Sequence, residues 1–163
     1  NKVTLYPDAY LTPFSVPAFV RTSPYVISAD VELANGKEQG VLLSLGGYLG
    51  GLSLYVKDGK LAFAYNAEGK TVEVISNRPL GKGTQTLKAE IRQKAGSRNK
   101  SVELYVNGSK VAERQFESSV AYHSTEGLDV GSDVGTAVTS AYKTPFNFTG
   151  KVSQVTLENL SQY

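Results

Sequence analysis

The chain has no cysteine, no methionine and a single histidine among its 163 residues. Without cysteine there are no disulfides and no thiolate to act as nucleophile or metal ligand. With one histidine, His123, and no cysteine, a zinc site has no ligand set. A serine triad needs a histidine base, and no Gly-x-Ser-x-Gly turn is there to present the nucleophile. His123 sits in Ala-Tyr-His-Ser-Thr, a loop-like setting that reads as an ordinary surface or packing position. Methionine is missing even from position 1. The chain therefore reads as a mature form or as a piece of something larger, the second being favoured because the text opens directly into strand-like residues. The lack of cysteine suits an extracytoplasmic bacterial protein and a cytosolic one equally.

Charge of one sign is also missing. Lys+Arg number 17 and Asp+Glu 15, interspersed, for a formal net charge of +2. That field is too weak to argue for nucleic acid or an anionic membrane surface as partner. No apolar run approaches the roughly 20 residues of a membrane span, which argues against membrane insertion, and no signal peptide opens the text. The length predicts one domain, 1–163, with a sizeable core.

What is present is the strand alphabet. Residues 3–6 read as a short strand stopped by Pro7, and Pro13, Pro17 and Pro24 keep 7–24 extended or turning. Across 25–33, Ile27, Ala29, Val31 and Leu33 alternate with Ser28, Asp30 and Glu32, the pattern of a half-buried antiparallel strand. Strands follow at 41–45 and 52–56, separated by Gly46-Gly47-Tyr48-Leu49-Gly50-Gly51. A phosphate-cradling loop would need a helix right after those glycines, and Leu-Ser-Leu-Tyr-Val is a strand instead. Asp58-Gly59 marks a tight hairpin. Further strands fall at 71–75 and 84–93, the latter with Leu87, Ala89 and Ile91 on one face.

Residues 94–100, Lys-Ala-Gly-Ser-Arg-Asn-Lys, read as a solvated polar tip. Leu104-Tyr105-Val106-Asn107-Gly108 then echoes the Leu54-Tyr55-Val56-Lys57-Asp58-Gly59 hairpin. In the closing strand Phe146, Phe148, Gly150 and Val152 share one parity, while Val155 and Leu157 hold the other. That change of phase predicts a bulge near Ser153-Gln154. With no helical periodicity and turn signals at this spacing, the fold class is all-β, a two-sheet antiparallel sandwich or jelly roll.

Two groups of residues invite chemistry. Glu126, Asp129 and Asp133 stand among glycines, and Asp129 and Asp133 are candidate ligands for a hard cation such as Ca²⁺. The same acids would serve equally to accept backbone N–H bonds in turns. Tyr10, Tyr48, Tyr55, Tyr65, Tyr105 and Tyr142 could stack on sugar rings. Tyr48, Tyr55 and Tyr105 are the candidate ligand-binding set, and Tyr55 and Tyr105 would share a sheet face if their strands pair. Glycoside hydrolysis needs two carboxylates at controlled separation. Asp30 and Glu32 come nearest, but they lack a third acid, and Glu103 has no acidic companion two residues away. Catalytic residues are therefore assigned to none.

Gly50-Gly51-Leu52-Ser53-Leu54-Tyr55-Val56-Lys57-Asp58-Gly59-Lys60 with Tyr65-Asn66 resembles the C-terminal β-sandwich of a group of bacterial arylsulfatases. So do Glu126-Gly127-Leu128-Asp129-Val130-Gly131, Asp133, Gly135-Thr136, Tyr142 and Pro145-Phe146-x-Phe148-Thr149-Gly150. The resemblance runs in patches from about residue 3 to residue 157, and it implies a concanavalin A-like (laminin-G-like) jelly roll. It also implies a non-catalytic accessory domain of a secreted or periplasmic bacterial sulfatase. Such a domain would pack on the catalytic domain or contact its glycan substrate. The formylglycine motif of that catalytic domain is absent from this chain. The chain departs from the pattern at Leu52, where Trp is frequent, and at Ala67 and Glu68, where bulky aromatics are. An autonomous carbohydrate-binding lectin-like module is the alternative, with a glucanase-like hydrolase behind it.

Overall fold

The alternation of apolar and polar residues builds two antiparallel sheets, each of six strands. The computed structural model describes residues 1–22, 24–93, 96–118 and 125–161, so His123 lies outside the described residues. In chain order the strands are β1 (Lys2–Leu5), β2 (Tyr10–Leu11), β3 (Tyr25–Leu33), β4 (Gly40–Gly47), β5 (Gly50–Lys57) and β6 (Lys60–Ala67). They continue with β7 (Lys70–Ile75), β8 (Gly83–Gln93), β9 (Asn99–Val106), β10 (Ser109–Glu117), β11 (Leu128–Val130) and β12 (Lys151–Asn159). Sheet A runs β1-β12-β3-β8-β9-β10 and sheet B runs β2-β11-β4-β5-β6-β7. A single helical turn, α1 (Phe19–Thr22), occupies part of the proline-rich segment expected to be extended or turning, and it buries Phe19 and Val20. No helix among the described residues is long and apolar enough to cross a membrane.

The core lies between the sheets. Ile27, Ala29, Val31 and Leu33 from β3 and Leu87, Ala89 and Ile91 from β8 meet Leu52, Leu54 and Val56 from β5 and Leu61 and Phe63 from β6. Each such Val, Leu, Ile or Phe side chain, fully buried, stabilises the fold by about 1.5–3 kcal/mol relative to exposure. Three tight turns hold consecutive strands. Asp58-Gly59 and Asn107-Gly108 take positive φ at both positions, as their composition predicts, and Glu68-Gly69 does the same with a weaker sequence signal. The predicted bulge is present: the β12–β3 register slips between Val152 and Gln154. Gly51 lets β5 close on β4, since a Cβ there would come 1.9 Å from the Leu45 carbonyl oxygen. The glycine pairs at this tip thus serve strand approach.

The structure differs from the sequence expectation in three further places. The strands carrying Tyr55 and Tyr105 do not pair, because β5 belongs to sheet B and β9 to sheet A. Those two side chains therefore lie on opposite outer surfaces of the sandwich. Phe146 and Phe148 precede β12 and part company, Phe146 packing in an outer cluster and Phe148 against the main core. Lys100 is not at a solvated tip: it lies in β9, in phase with Val102 and Leu104, and is buried.

Candidate functional site

The outer face of sheet B is not open. After β11 the chain leaves through Gly131 at φ 80°, and residues 131–150 fold back across β4, β5 and β6 before β12 begins. Backbone bonds pin the return: Gly131 N–H to the Leu42 carbonyl at 2.8 Å, Val41 N–H to Phe146 at 2.9 Å and Thr149 N–H to Gln39 at 2.8 Å. Beneath this cap Val41, Tyr55, Ala62, Ala64, Val138 and Tyr142 form a second hydrophobic cluster. The Tyr142 ring meets Tyr55 edge-on at 5.2 Å and stacks with Phe146 at 5.0 Å between centroids. Small residues on the sheet, Ala62 and Ala64, leave room for those rings.

Polar groups lock the cap in place. Asn66, 2% exposed, donates through Nδ2 to the carbonyls of Tyr48 at 2.9 Å and Val138 at 2.8 Å. Lys57 Nζ donates to the Ala141 carbonyl, and Glu73 accepts from both the Tyr55 and Thr139 hydroxyls. The Tyr142 hydroxyl lies 2.7 Å from Asp133 Oδ2 and 2.9 Å from Ser53 Oγ. Its single proton goes to the carboxylate, so the Ser53 hydroxyl donates back to the phenol oxygen. Burial is the main cause that lifts the Asp133 carboxyl to about 6; the Tyr142 bond opposes the shift, while Asp129 and Glu126 add to it. Burial and the neighbouring carboxylates likewise push the Tyr55 and Tyr142 phenols well above the usual range.

The structure separates the residues singled out by sequence. Tyr55 is enclosed by the cap and gives no ring face to solvent. Tyr48, at the β4–β5 tip, is 59% exposed, and its N–H donates to Thr136 Oγ1 at 3.1 Å. Tyr105 lies half-buried on the outer face of sheet A with its hydroxyl 2.5 Å from Glu103, which pushes the phenol up to about 12. Asp133 is committed to Tyr142 and to the Val138 N–H at 3.4 Å. Burial raises the Asp129 carboxyl, and the nearby Val134 backbone N–H opposes the shift. The two bonds of Asp133 run to residues of its own loop. Among the described residues, no group of three His, Cys, Asp or Glu side chains is gathered as a metal centre.

Glu126, the third acid, is also built into the turn. It accepts the Thr136 N–H at 2.7 Å as well as the Thr136 hydroxyl. A Cβ on Gly47 or Gly135 would come within 1.8 or 1.9 Å of its carboxylate oxygens. The acid pair considered for hydrolysis has polar partners of its own. Asp30 receives Thr86 Oγ1 at 3.1 Å and Gln154 Nε2 at 3.2 Å, and Glu32 sits 3.9 Å from Lys151.

Two stretches of open surface lie away from the cap. The outer face of sheet A is polar, carrying Glu90, Arg92, Glu103, Tyr105, Lys110 and Glu113 with ion pairs at 3.0–3.3 Å. At the end of the sandwich where the β6–β7 turn meets residues 96–98, grooves open beside Phe116 and Lys100. Neither Phe116 nor Lys100 was singled out by sequence. The parity of Lys100 with Val102 and Leu104 was the available signal.

Residues 34–160 match the laminin G domain family. No curated protein matches the sequence. Among solved structures, the CBM40 domain of the Ruminococcus gnavus IT-sialidase, bound to α2,3-sialyllactose, superimposes with TM-score 0.62 at 14% identity over 99% of this chain and 92% of that chain. Domains LG4-5 of the mouse laminin α1 chain superimpose with TM-score 0.65 at 17% identity, covering 96% of this chain and 40% of that chain. The SAP-like pentraxin of Limulus polyphemus does so with TM-score 0.54 at 14% identity over 98% and 77%. At these identities the likeness is one of fold.

Proposed function

The chain belongs to the laminin G domain family, and from that premise we propose that it is a non-catalytic, glycan-binding accessory module. The observation that carries the reading is the end-to-end match in fold to a sialyllactose-bound carbohydrate module, 99% of one chain against 92% of the other. The site chemistry supports the non-catalytic half. The candidate acids Asp30, Glu103 and Asp133 are each held by a hydrogen-bond donor of the protein itself. Of the candidate ligand-binding set, Tyr48 at the rim and Tyr105 on the open sheet remain for sugar contact, with Tyr10 exposed as well.

Titration of the chain with neutral, sulfated and sialylated glycans, with and without Ca²⁺, tests the reading by calorimetry. Saturable binding to at least one class is expected. Silence across all of them would sink it. A gain in affinity on adding Ca²⁺ that Asp129→Asn abolishes would assign Asp129 and Asp133 to a cation.

A narrower reading makes this the C-terminal domain of a secreted or periplasmic bacterial sulfatase. It rests on the two dense sequence blocks at 50–66 and 126–150. A formylglycine motif upstream in the parent gene supports it, and an unrelated upstream domain removes it.

A further inference from the structure

Asparagine is followed by glycine twice in this chain, at Asn35-Gly36 and at Asn107-Gly108. The pair has a chemistry of its own. Glycine carries no Cβ, so its backbone nitrogen can close on the side-chain carbonyl carbon of the asparagine before it. Such an attack expels ammonia and leaves a five-membered imide. Both asparagines are exposed, and both glycines take positive φ, 77° and 83°. The surroundings of the two side chains differ.

Asn107 is clamped at both ends of its amide. Its Oδ1 accepts the Thr86 N–H at 2.9 Å, and its Nδ2 donates to Gln85 Oε1 at 2.7 Å. Its own N–H goes to the Thr86 carbonyl at 2.9 Å. Gln85 is buried, and its Nε2 donates to the Lys82 carbonyl at 3.3 Å. Turning Cγ toward the Gly108 nitrogen breaks two side-chain bonds at once and leaves the Thr86 N–H without its acceptor.

Asn35 stands outside the strands, in the connection between β3 and β4. Its Oδ1 accepts the Lys37 N–H at 2.8 Å, while its Nδ2 has no partner among the described residues. That one bond has two effects. It curls the side chain back over the peptide that follows, and it holds a donor on the oxygen that gains negative charge as a nitrogen adds to Cγ. The leaving amide nitrogen is unrestrained. Glu38 folds its carboxylate into the same loop and accepts the N–H groups of Ala34 at 2.5 Å and Asn35 at 3.1 Å, with that of Gly36 nearby. A carboxylate thus stands beside the nitrogen that must shed a proton.

We propose that Asn35 is a self-modification site of the folded protein, converting to aspartate and isoaspartate while Asn107 is protected. The Gly36 nitrogen bonds to Asn35 Cγ, the Cγ–Nδ2 bond breaks, and ammonia leaves with the proton that the Gly36 nitrogen gives up. Water then opens the imide. Hydrolysis at Cγ gives aspartate, and hydrolysis at the backbone carbonyl gives isoaspartate, which adds a methylene to the main chain between residues 35 and 36. Either product places a second carboxylate in the loop that Glu38 holds and removes one unit from the formal net charge of +2.

The full chain is held at mildly alkaline pH and physiological temperature, folded in one arm and urea-unfolded in the other. Peptide mapping by mass spectrometry follows both Asn-Gly pairs. In the folded arm Asn35 is expected to convert tenfold or more faster than Asn107. In urea the two rates should come within about threefold of each other, since the clamp on Asn107 is gone. Asn35→Gln should remove the new acidic species seen by ion exchange. Equal rates in the folded arm, or a faster Asn107, overturn the proposal. An Asn35 that stays intact in the fold while the unfolded arm converts overturns it as well.

Discussion

Two hairpins of this protein share a text and part ways in the fold. Leu54-Tyr55-Val56 leads into Asp58-Gly59, and Leu104-Tyr105-Val106 into Asn107-Gly108. Both make two-residue turns at positive φ, and both send their leucine into the same core. Their tyrosines face outward from opposite sheets, yet Tyr55 is 2% exposed and Tyr105 stands half in water. The difference comes from residues 131–150, which cover one outer face and leave the other bare. Local sequence decides which way a side chain points; a distant segment decides whether that direction leads to solvent.

Breaking the cap should have the largest effect. Tyr142 lies between Tyr55 and Phe146 and holds Asp133, so Tyr142→Ala leaves a cavity and is expected to cost about 3–5 kcal/mol in urea unfolding. The same substitution should make Tyr55 accessible to solvent perturbation, while Tyr105 is unchanged. An unaltered unfolding midpoint would mean that the cap contributes little.

Asp133 sharpens the contrast through pH. Its carboxyl titrates near 3.8 in the unfolded chain and at about 6 in the fold. The folded chain therefore keeps a proton that the unfolded chain has already lost. The resulting stability is fully present below about pH 4 and is lost as pH rises through about 6. The wild-type minus Asp133→Asn difference in unfolding free energy should fall by about 2–3 kcal/mol between pH 4 and pH 7. A difference that is flat across that window would place the group in a wetter setting than its burial implies.

The smallest effect compares the tyrosines directly. Tyr55→Phe leaves a half-buried Glu73 oxygen without its donor and should cost about 1–2 kcal/mol. Tyr105→Phe removes a similar bond on an open face and should cost under about 0.5 kcal/mol. Equal costs in thermal melts would erase the distinction between the two surfaces.

How far these features could be read in advance follows from the range of the interactions. Alternation in 25–33 and 84–93, the Asp-Gly and Asn-Gly turns, and the change of parity before Val155 are local signals, and the structure reproduces each of them. The cap was not legible. Residues 131–150 are Gly, Thr, Ser and Ala interrupted by a few large side chains, with no period. Their partners lie far off in sequence: Tyr142 reaches Ser53 across 89 positions and Lys57 reaches Ala141 across 84. Tyr55 was therefore read by its strand phase alone, which gave the right direction and missed the lid. With Lys100 the error ran the other way. Its parity placed it on the core side, but the polar company of residues 94–99 pulled it into a loop.

Sheet A begins with the first strand and ends its pairing with the last: Lys2 faces Glu158, and β12 separates β1 from β3. During synthesis this arrangement imposes an order of events. The edge of β3, with Val26 through Glu32 ready to pair, has to wait until residues 151–159 have been made. For that interval the growing chain carries an unfilled slot flanked by two strands that already exist. Late closure of this kind leaves a sticky edge exposed for most of translation. Asp30 and Glu32 are the charged residues on that edge.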